Sequence, residues 1–198
     1  MPTDDFVVTP WNVEGDIDYD KLIKRFGTQK ITPDLLSKIE KFTKESHFML
    51  RRGIFFSHRD LNRLLDDYEK GKQFFLYTGR GPSGHTHIGH LVPWVFAKWL
   101  QDKFGAKMYF QLTDDEKFWS KKDMSLEKTS QFALENALDF IALGFKPENT
   151  KIIIDTKNIK TLYPIAAEVA KRINFSNTKA VFGFENETNV GMIFYTSL

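Results

Sequence analysis

The stretch Tyr77–His90, YTGRGPSGHTHIGH, holds the residues of this sequence best suited to chemistry. Its glycines follow two patterns that bind phosphate. One is G-x-G-x-x-G, typical of dinucleotide sites, and the other is an incomplete P-loop that ends in His85 and Thr86. The last four residues, His-Ile-Gly-His, belong to neither pattern. The stretch therefore predicts a phosphate-binding loop, which can be interpreted as a P-loop, as a dinucleotide site or as a site formed by the histidines. Each interpretation requires different side chains.

The P-loop and dinucleotide interpretations both meet an obstacle. A P-loop needs a permanent cation where His85 stands, and histidine is mostly neutral near pH 7. A dinucleotide site needs its helix to begin at the third glycine, Gly84, so that the pyrophosphate lies on the first amides. Pro82 and the polar residues after it delay the helix to about Ile88. The dinucleotide interpretation stays open because Asp114, at the end of the next strand, could bind a ribose.

The third interpretation uses the histidines at the end of the stretch. His87 and His90 share one face of the first helical turn, and Gly89 leaves space for a flat ring against the backbone. The helix N-terminus is partly positive, and both imidazoles can donate hydrogen bonds to phosphate as charge builds. A metal pair is disfavoured because the chain has no cysteine and no third histidine at helical spacing. Spacing alone leaves a phosphate site and two surface histidines equally open.

The elements that must position this stretch alternate between strand and helix from Phe74 onward. The runs FFLYTG, KMYFQLT and TKIIIDT predict strands, and helical patterns follow them at about 88–104, 126–143 and 159–173. This alternation predicts an α/β fold with a partial, Rossmann-like parallel sheet, preceded by a mainly helical extension over residues 1–72. Ligands bind beyond the carboxyl ends of such strands, so Tyr77–His90 and Thr113–Lys117 are expected on one edge.

Composition excludes several classes of protein. The chain of 198 residues has a net charge of +2, which is too balanced to argue for nucleic-acid binding by itself. The absence of cysteine excludes thiol catalysis, disulfides and thiolate zinc sites. The opening residues carry no signal-peptide pattern, and no apolar run approaches the roughly 20 residues of a membrane helix. We therefore expect a cytoplasmic protein.

Longer motifs carry a resemblance to a known family. The segment PSGHTHIGH resembles the signature loop of class I aminoacyl-tRNA synthetases, with its His-Ile-Gly-His tetrad. The segments RRGIFFSHRD, FFLYTGRGPSG, KMYFQLTDDEKFW and KAVFGF resemble the tryptophanyl-tRNA synthetase family of the archaeal and eukaryotic type. The resemblance runs from about Asp5 through Ile193. Motifs of this length rarely arise by chance, so they favour the histidine interpretation of the loop.

The resemblance implies an activity and a set of site residues. Members of the family join tryptophan to ATP, releasing pyrophosphate, and transfer the activated amino acid to tRNA(Trp). It implies catalytic roles for His87, His90 and Arg80. It implies ATP contacts from Thr78, Gly79, Arg80, His87, Gly89 and His90, and tryptophan contacts from Tyr77, Gln111 and Glu116.

Each tryptophan contact has a simpler structural alternative. Tyr77 is also an ordinary strand aromatic, and Gln111 also suits a solvated strand position. Thr113-x-x-Glu116 spells a capping box, which would explain Glu116 by helix chemistry alone. The functional interpretation has its own logic, because a buried acceptor without a donor costs about 1–3 kcal/mol. A pocket built for the indole N–H therefore disfavours phenylalanine and tyrosine.

The chain also departs from the family in length. The resemblance makes residues 73–198 the first half of the catalytic domain, truncated before the second half with its Lys-Met-Ser loop and before the anticodon-binding domain. We therefore expect a chain that is impaired alone, with weak substrate binding and slow adenylate formation. The alternative is a non-catalytic tryptophan- or ATP-binding partner module. The resemblance further implies a homodimer and Mg²⁺ arriving with ATP, whereas Asp114 and Asp115 suit a structural role better than a metal site.

Overall fold

The computed structural model describes residues 6–8, 13–15 and 18–198, and these fall into two compact units. One unit ends at Phe74, and the other spans Phe75–Leu198. Within the run FVVTPW, Phe6–Val8 form a strand, and the remaining residues of the run lie outside the described part of the chain. None of the helices in the described ranges is long and apolar enough to cross a membrane.

The first unit is mainly helical, with two short antiparallel strand pairs. Its elements are strands β1 (Phe6–Val8) and β2 (Val13–Gly15), helix α1 (Tyr19–Phe26), strand β3 (Gln29–Lys30), helices α2 (Pro33–Thr43) and α3 (Phe48–Arg51), strand β4 (Ser57–His58) and helix α4 (Leu61–Glu69). Strand β1 pairs with β2, and β3 pairs with β4. Helix α2 begins where the Thr32 hydroxyl accepts the Leu35 N–H at 3.3 Å, with Pro33 as its first residue.

The second unit contains the parallel sheet. Its elements are β5 (Phe75–Arg80), α5 (Ile88–Phe104), β6 (Lys107–Leu112), α6 (Asp114–Ser120), α7 (Leu126–Ala142), β7 (Thr150–Ile154), α8 (Asp155–Ala170), α9 (Phe175–Phe182) and α10 (Val190–Tyr195). The strands lie in the order β5-β6-β7 and are all parallel. The α/β fold with a partial Rossmann-like sheet is therefore confirmed. Helices α9 and α10 were not predicted from the sequence pattern, whereas α6 begins directly after Thr113, where the capping-box alternative places a helix start.

One face of this sheet is packed against helices α5 and α7. Phe110 in the central strand is fully buried, stacked on Phe140 with 3.8 Å between ring centroids and meeting the edge of Trp94 at 5.1 Å. Successive strand residues point to opposite faces, so Tyr77 and Gln111 lie on the other face. On that face Tyr77 keeps 62% of its surface exposed. The core thus fixes the strands that carry the expected tryptophan contacts.

Candidate active site

Tyr77, in the middle of strand β5, meets Gln111, near the carboxyl end of β6, on one face of the sheet. The Tyr77 hydroxyl donates a hydrogen bond to Oε1 of Gln111. The other end of the Gln111 amide, Nε2, donates to Oδ1 of Asp155 at 2.8 Å. Burial, and then the nearby Asp155 carboxyl, raise the pKa of Tyr77, so its hydroxyl remains a donor at neutral pH. The structure therefore brings together Tyr77 and Gln111, two of the three residues expected to contact tryptophan. Their hydrogen bonds fix which end of the Gln111 amide donates and which accepts.

His87 and His90 form a reciprocal cap at the start of helix α5, which begins at Ile88 as predicted. Nδ1 of His87 accepts the Gly89 N–H, and Nδ1 of His90 accepts the His87 N–H, both at 3.2 Å. The rings lie 3.7 Å apart between centroids. A ring nitrogen that accepts a hydrogen bond carries no hydrogen, so the neutral form of each ring has its N–H at Nε2. The helix start thus presents two Nε2–H donors side by side.

The pKa of His90 is lowered, chiefly by burial and then by the positive charge of Arg80 and by His87. His90 is therefore a neutral donor at physiological pH. The imidazole of His87 lies close to the Cα of Gly89. A side chain at this position would crowd the ring, since its Cβ would lie 3.1 Å from Cε1 of His87. The space that the sequence predicts for a flat ring is thus occupied by His87 itself.

Arg80 holds the loop between strand β5 and helix α5. Its guanidinium donates to the Thr86 hydroxyl at 2.7 Å and to the carbonyl oxygens of Gly84 and His85 at 3.0 and 2.8 Å. These bonds tie the end of the strand to the residues that precede the paired histidines. In this structure Arg80 therefore shapes the loop, and its expected contact with ATP stays a prediction.

Thr78 and Gly79 lie on opposite faces of strand β5. Thr78 is on the face that carries Phe110, away from Tyr77, so its side chain is separated from the tryptophan contacts. Gly79 packs tightly against the neighbouring strand, where a Cβ would lie 2.4 Å from the carbonyl oxygen of Gln111. The absence of a side chain at Gly79 thus allows the two strands to approach.

The Gly79→Ala substitution should therefore lower the free energy of unfolding by about 1–3 kcal/mol, because a methyl group would push β5 away from β6. Urea denaturation at fixed pH would measure the change. Gly84→Ala is the matched control, since a Cβ at Gly84 meets nothing within 4 Å. Equal stability of the two variants would contradict the close approach.

Glu116 is almost fully buried and is held by two partners. The Thr113 hydroxyl donates to its Oε2 at 3.0 Å, and Lys117 Nζ donates to its Oε1 at 2.7 Å. The capping-box alternative is wrong, because the Thr113 side chain bonds the Glu116 carboxylate instead of a backbone N–H. The backbone N–H of Glu116 is bound by Oδ1 of Asp115 at 2.8 Å. Reception of a substrate ammonium group by Glu116 stays a prediction, and the ammonium would share the carboxylate with Lys117.

Asp114 and Asp155 are fully buried at the carboxyl ends of the central strand and of β7. Asp114 accepts the Thr156 N–H at 3.1 Å and the Thr156 hydroxyl at 2.5 Å. Asp114 therefore has the structural role that the sequence predicted. This engagement, and the helix start at Ile88 instead of Gly84, remove the dinucleotide interpretation. In the described residues, no three side chains of His, Cys, Asp or Glu are grouped to hold a metal ion.

Sequence reasoning missed Asp155 and Tyr195. Burial, and then the nearby Glu116, Tyr77 and Asp155, raise the pKa of Tyr195 to about 12, which places its hydroxyl among these groups. The position of Asp155 could have been noticed in the sequence. It directly follows the run KIII, which becomes a strand, just as Thr113 and Asp114 follow the strand run YFQL. Nothing in the local sequence indicates that Asp155 would bond a glutamine 44 positions earlier.

A parallel α/β sheet with a glycine-rich loop and a helix N-terminus at its carboxyl edge is an arrangement that many nucleotide-binding proteins share. Residues 69–190 match the class I tRNA synthetases (W and Y), and the chain belongs to this family. Within this family, the chain is highly similar to curated tryptophan–tRNA ligases. The chain is 55% identical to the tryptophan–tRNA ligase of Pyrobaculum calidifontis over 195 residues, which cover 98% of this chain and 52% of that relative.

Solved structures give the same result. The crystal structure of Plasmodium falciparum tryptophanyl-tRNA synthetase superposes with a TM-score of 0.88 and 45% identity, covering 91% of this chain and 51% of that one. A tryptophan-bound synthetase from Encephalitozoon cuniculi superposes with a TM-score of 0.86 and 39% identity, covering 91% of this chain and 53% of that one. The chain thus spans about half the length of the curated relatives and solved structures that it matches.

Proposed function

We propose that this chain supplies the first half of the catalytic domain of a tryptophan–tRNA ligase, binding tryptophan and ATP for adenylate formation. The observation that carries the proposal is the presence of two preformed sets of hydrogen-bonding groups in the same unit, one on strands β5 and β6 and one at the start of helix α5. One set is the Tyr77–Gln111 pair, and the other is the pair of Nε2–H groups of His87 and His90. The family match and the tryptophan-bound relative support the same substrate.

Tryptophan selection follows from the amide oxygen of Gln111. This oxygen has two lone pairs, so it can accept the Tyr77 hydroxyl and an indole N–H together. A phenylalanine side chain offers no donor and would leave that second lone pair unsatisfied in a closed pocket, at a cost of about 1–3 kcal/mol. Glu116 is the proposed acceptor for the substrate ammonium group, with the Lys117 ammonium beside it.

Adenylate formation requires the tryptophan carboxylate to attack the α-phosphorus of ATP while pyrophosphate leaves. Negative charge builds on the phosphate oxygens in the transition state, and donors fixed in advance stabilise it without reorganising. The Nε2–H groups of His87 and His90 are such donors, because each ring is already locked by its Nδ1 bond. The amides at the start of helix α5 add partial positive charge. Gly79, Gly89 and Thr78 are the proposed neighbours of the nucleotide.

Mg²⁺ is proposed as part of the incoming ATP complex. Because the described residues form no three-ligand metal cluster, no step is assigned to the ion. The proposal also includes transfer to tRNA(Trp), a homodimer and a cytoplasmic location, which follow from the family resemblance alone. A second candidate function is a non-catalytic module that binds tryptophan or ATP. Such a module would use the Tyr77–Gln111 pair and would not require the Nε2–H donors of His87 and His90.

Calorimetry and pyrophosphate exchange together separate the two functions. The 198-residue chain should bind tryptophan in calorimetry, and Tyr77→Phe should weaken that binding by removing the hydroxyl at Gln111. Tryptophan-dependent exchange of labelled pyrophosphate into ATP should be detectable but slow. Binding without any exchange would favour the module. Absence of tryptophan binding by the wild-type chain would overturn the proposal.

A further inference from the structure

Asp155 is a buried acid whose carboxylate is only partly used. Its side chain is fully buried at the start of helix α8, where Oδ1 accepts the Gln111 Nε2–H at 2.8 Å. Oδ2 is also buried and accepts no hydrogen bond from the described residues, and the carboxyl of Asp115 lies within hydrogen-bonding reach of the Asp155 carboxyl. A buried polar atom without a partner is costly, so the placement of this acid beside Gln111 calls for a physical reason.

The reason lies in the asymmetry of an amide. The side chain of Gln111 ends in an oxygen that only accepts and an NH₂ group that only donates, and the two ends are nearly equal in size. Turning the amide over would present the NH₂ group to the pocket and repel an indole N–H. The bond from Nε2 to Asp155 selects one of the two orientations, and in that orientation the amide oxygen accepts the Tyr77 hydroxyl.

We propose that Asp155 is the positioning residue that fixes the Gln111 amide with its oxygen toward the substrate, and so sets the preference for an N–H-bearing side chain. The inference rests on the proposed function, since it assigns the mechanism of selection in the same site. Asp155 acts through Gln111 and needs no contact with tryptophan.

The charges around Asp155 are consistent with this role. Burial, and then the carboxyls of Asp115 and Asp114, raise the pKa of Asp155 to about 7 against the opposing effect of the Gln111 hydrogen bond. Burial likewise raises the pKa of Asp115 to about 6. The other groups that face them are the hydroxyls of Tyr77 and Tyr195. A proton on Asp155 belongs on Oδ2, because Oδ1 already accepts the Gln111 N–H. Oδ1 therefore remains an acceptor whether Asp155 is protonated or ionised.

The raised pKa of Asp155 fixes the direction in which the free energy of unfolding changes with pH. The folded chain holds a proton on Asp155 up to about pH 7, whereas the unfolded chain releases it near pH 4. The folded state therefore binds more protons between these values, and the stability of the wild-type chain falls as pH rises through that window. Orientation of Gln111 should stay constant over the same range.

The test compares tryptophan with an analogue in which benzothiophene replaces indole, so that sulfur stands where the N–H was. Calorimetry on the wild-type chain should show a clear preference for tryptophan. Asp155→Leu should reduce that preference about tenfold or more, by weakening tryptophan and leaving the analogue nearly unchanged. Asp155→Asn keeps a carbonyl oxygen for Gln111 and should retain the preference within about threefold. Asp123→Leu, at an exposed position, is the surface control.

A ligand-free measurement makes the test independent of substrate. In the wild-type chain, the side-chain N–H signals of Gln111 should be shifted and slow to exchange in NMR, unlike those of the exposed Gln73. They should persist from pH 5 to 9, and they should become like those of Gln73 in Asp155→Leu. Signals like those of Gln73 in the wild type would overturn the inference, even if the leucine variant failed to fold.

The possible results separate the two proposals. Equal loss of affinity for tryptophan and for the analogue in Asp155→Leu would mean a purely structural role, and the inference would fail while the proposed function stood. Loss of the preference in Asp155→Asn to the level of Asp155→Leu would also overturn it. A wild-type chain that binds neither ligand would instead remove the proposed function, and the NMR signals would then decide on Asp155 alone.

Discussion

Substituting asparagine for His87 is expected to slow tryptophanyl-adenylate formation about a hundredfold or more while helix α5 stays folded. Asparagine is a favourable N-cap residue, and its amide oxygen can accept the Gly89 N–H that Nδ1 of His87 now accepts. It has no equivalent of the Nε2–H. Removing one fixed donor to a developing negative charge typically costs about 10²–10³ in rate. The substitution therefore separates the capping role of His87 from its proposed role at phosphate.

Single-turnover formation of the adenylate from saturating tryptophan and ATP would measure this effect, with thermal unfolding followed in parallel. His85→Asn is the matched control, because His85 is exposed and faces Glu135 at 3.5 Å, away from the cap. The control should keep the wild-type rate. If His87→Asn keeps the wild-type stability and rate while His87→Ala loses both, capping alone explains the histidine. A rate in His87→Asn within a few-fold of wild type would remove the phosphate role.

Helix and strand positions could be predicted where local chemistry dominates. The apolar runs around Leu76, Phe110 and Ile152 became the three parallel strands, because buried strands need continuous apolar residues. The start of helix α5 at Ile88 followed from the polar loop and Pro82, which occupy the place where a dinucleotide helix would begin. The short helices α9 and α10 escaped prediction, because eight and six residues give too little periodicity to read.

The candidate site was predicted less completely because its chemistry depends on distant partners. The sequence resemblance selected Tyr77 and Gln111, but the sequence did not reveal the buried acid that holds the far end of the Gln111 amide. The Thr113-x-x-Glu116 spacing fitted a capping box, yet the neighbouring Asp115 binds the Glu116 N–H. The hydrogen-bonding state of the histidine rings likewise depends on backbone geometry that residue spacing alone does not fix.

Replacing Phe110 by alanine should have the largest effect on stability, lowering the free energy of unfolding by about 3–5 kcal/mol. Phe110 is fully buried and touches aromatic rings from two helices, Phe140 at 3.8 Å and Trp94 at 5.1 Å between centroids. The substitution would leave a cavity where the sheet joins both helices. A loss of this size is a large part of the roughly 5–15 kcal/mol that holds a typical domain folded. Urea denaturation would measure it.

Phe75→Ala is the matched control on the same sheet, because Phe75 keeps 64% of its surface exposed. Its loss should be well under half that of Phe110→Ala, since little apolar surface is returned to water. Phe110→Leu fills part of the cavity and should fall between the two. Because Gln111 lies on the opposite face of the sheet from Phe110, the folded fraction of the leucine variant should still bind tryptophan with wild-type affinity. Equal losses of stability for Phe75→Ala and Phe110→Ala would mean that helices α5 and α7, which pack on the Phe110 face, do not form the core that positions the site.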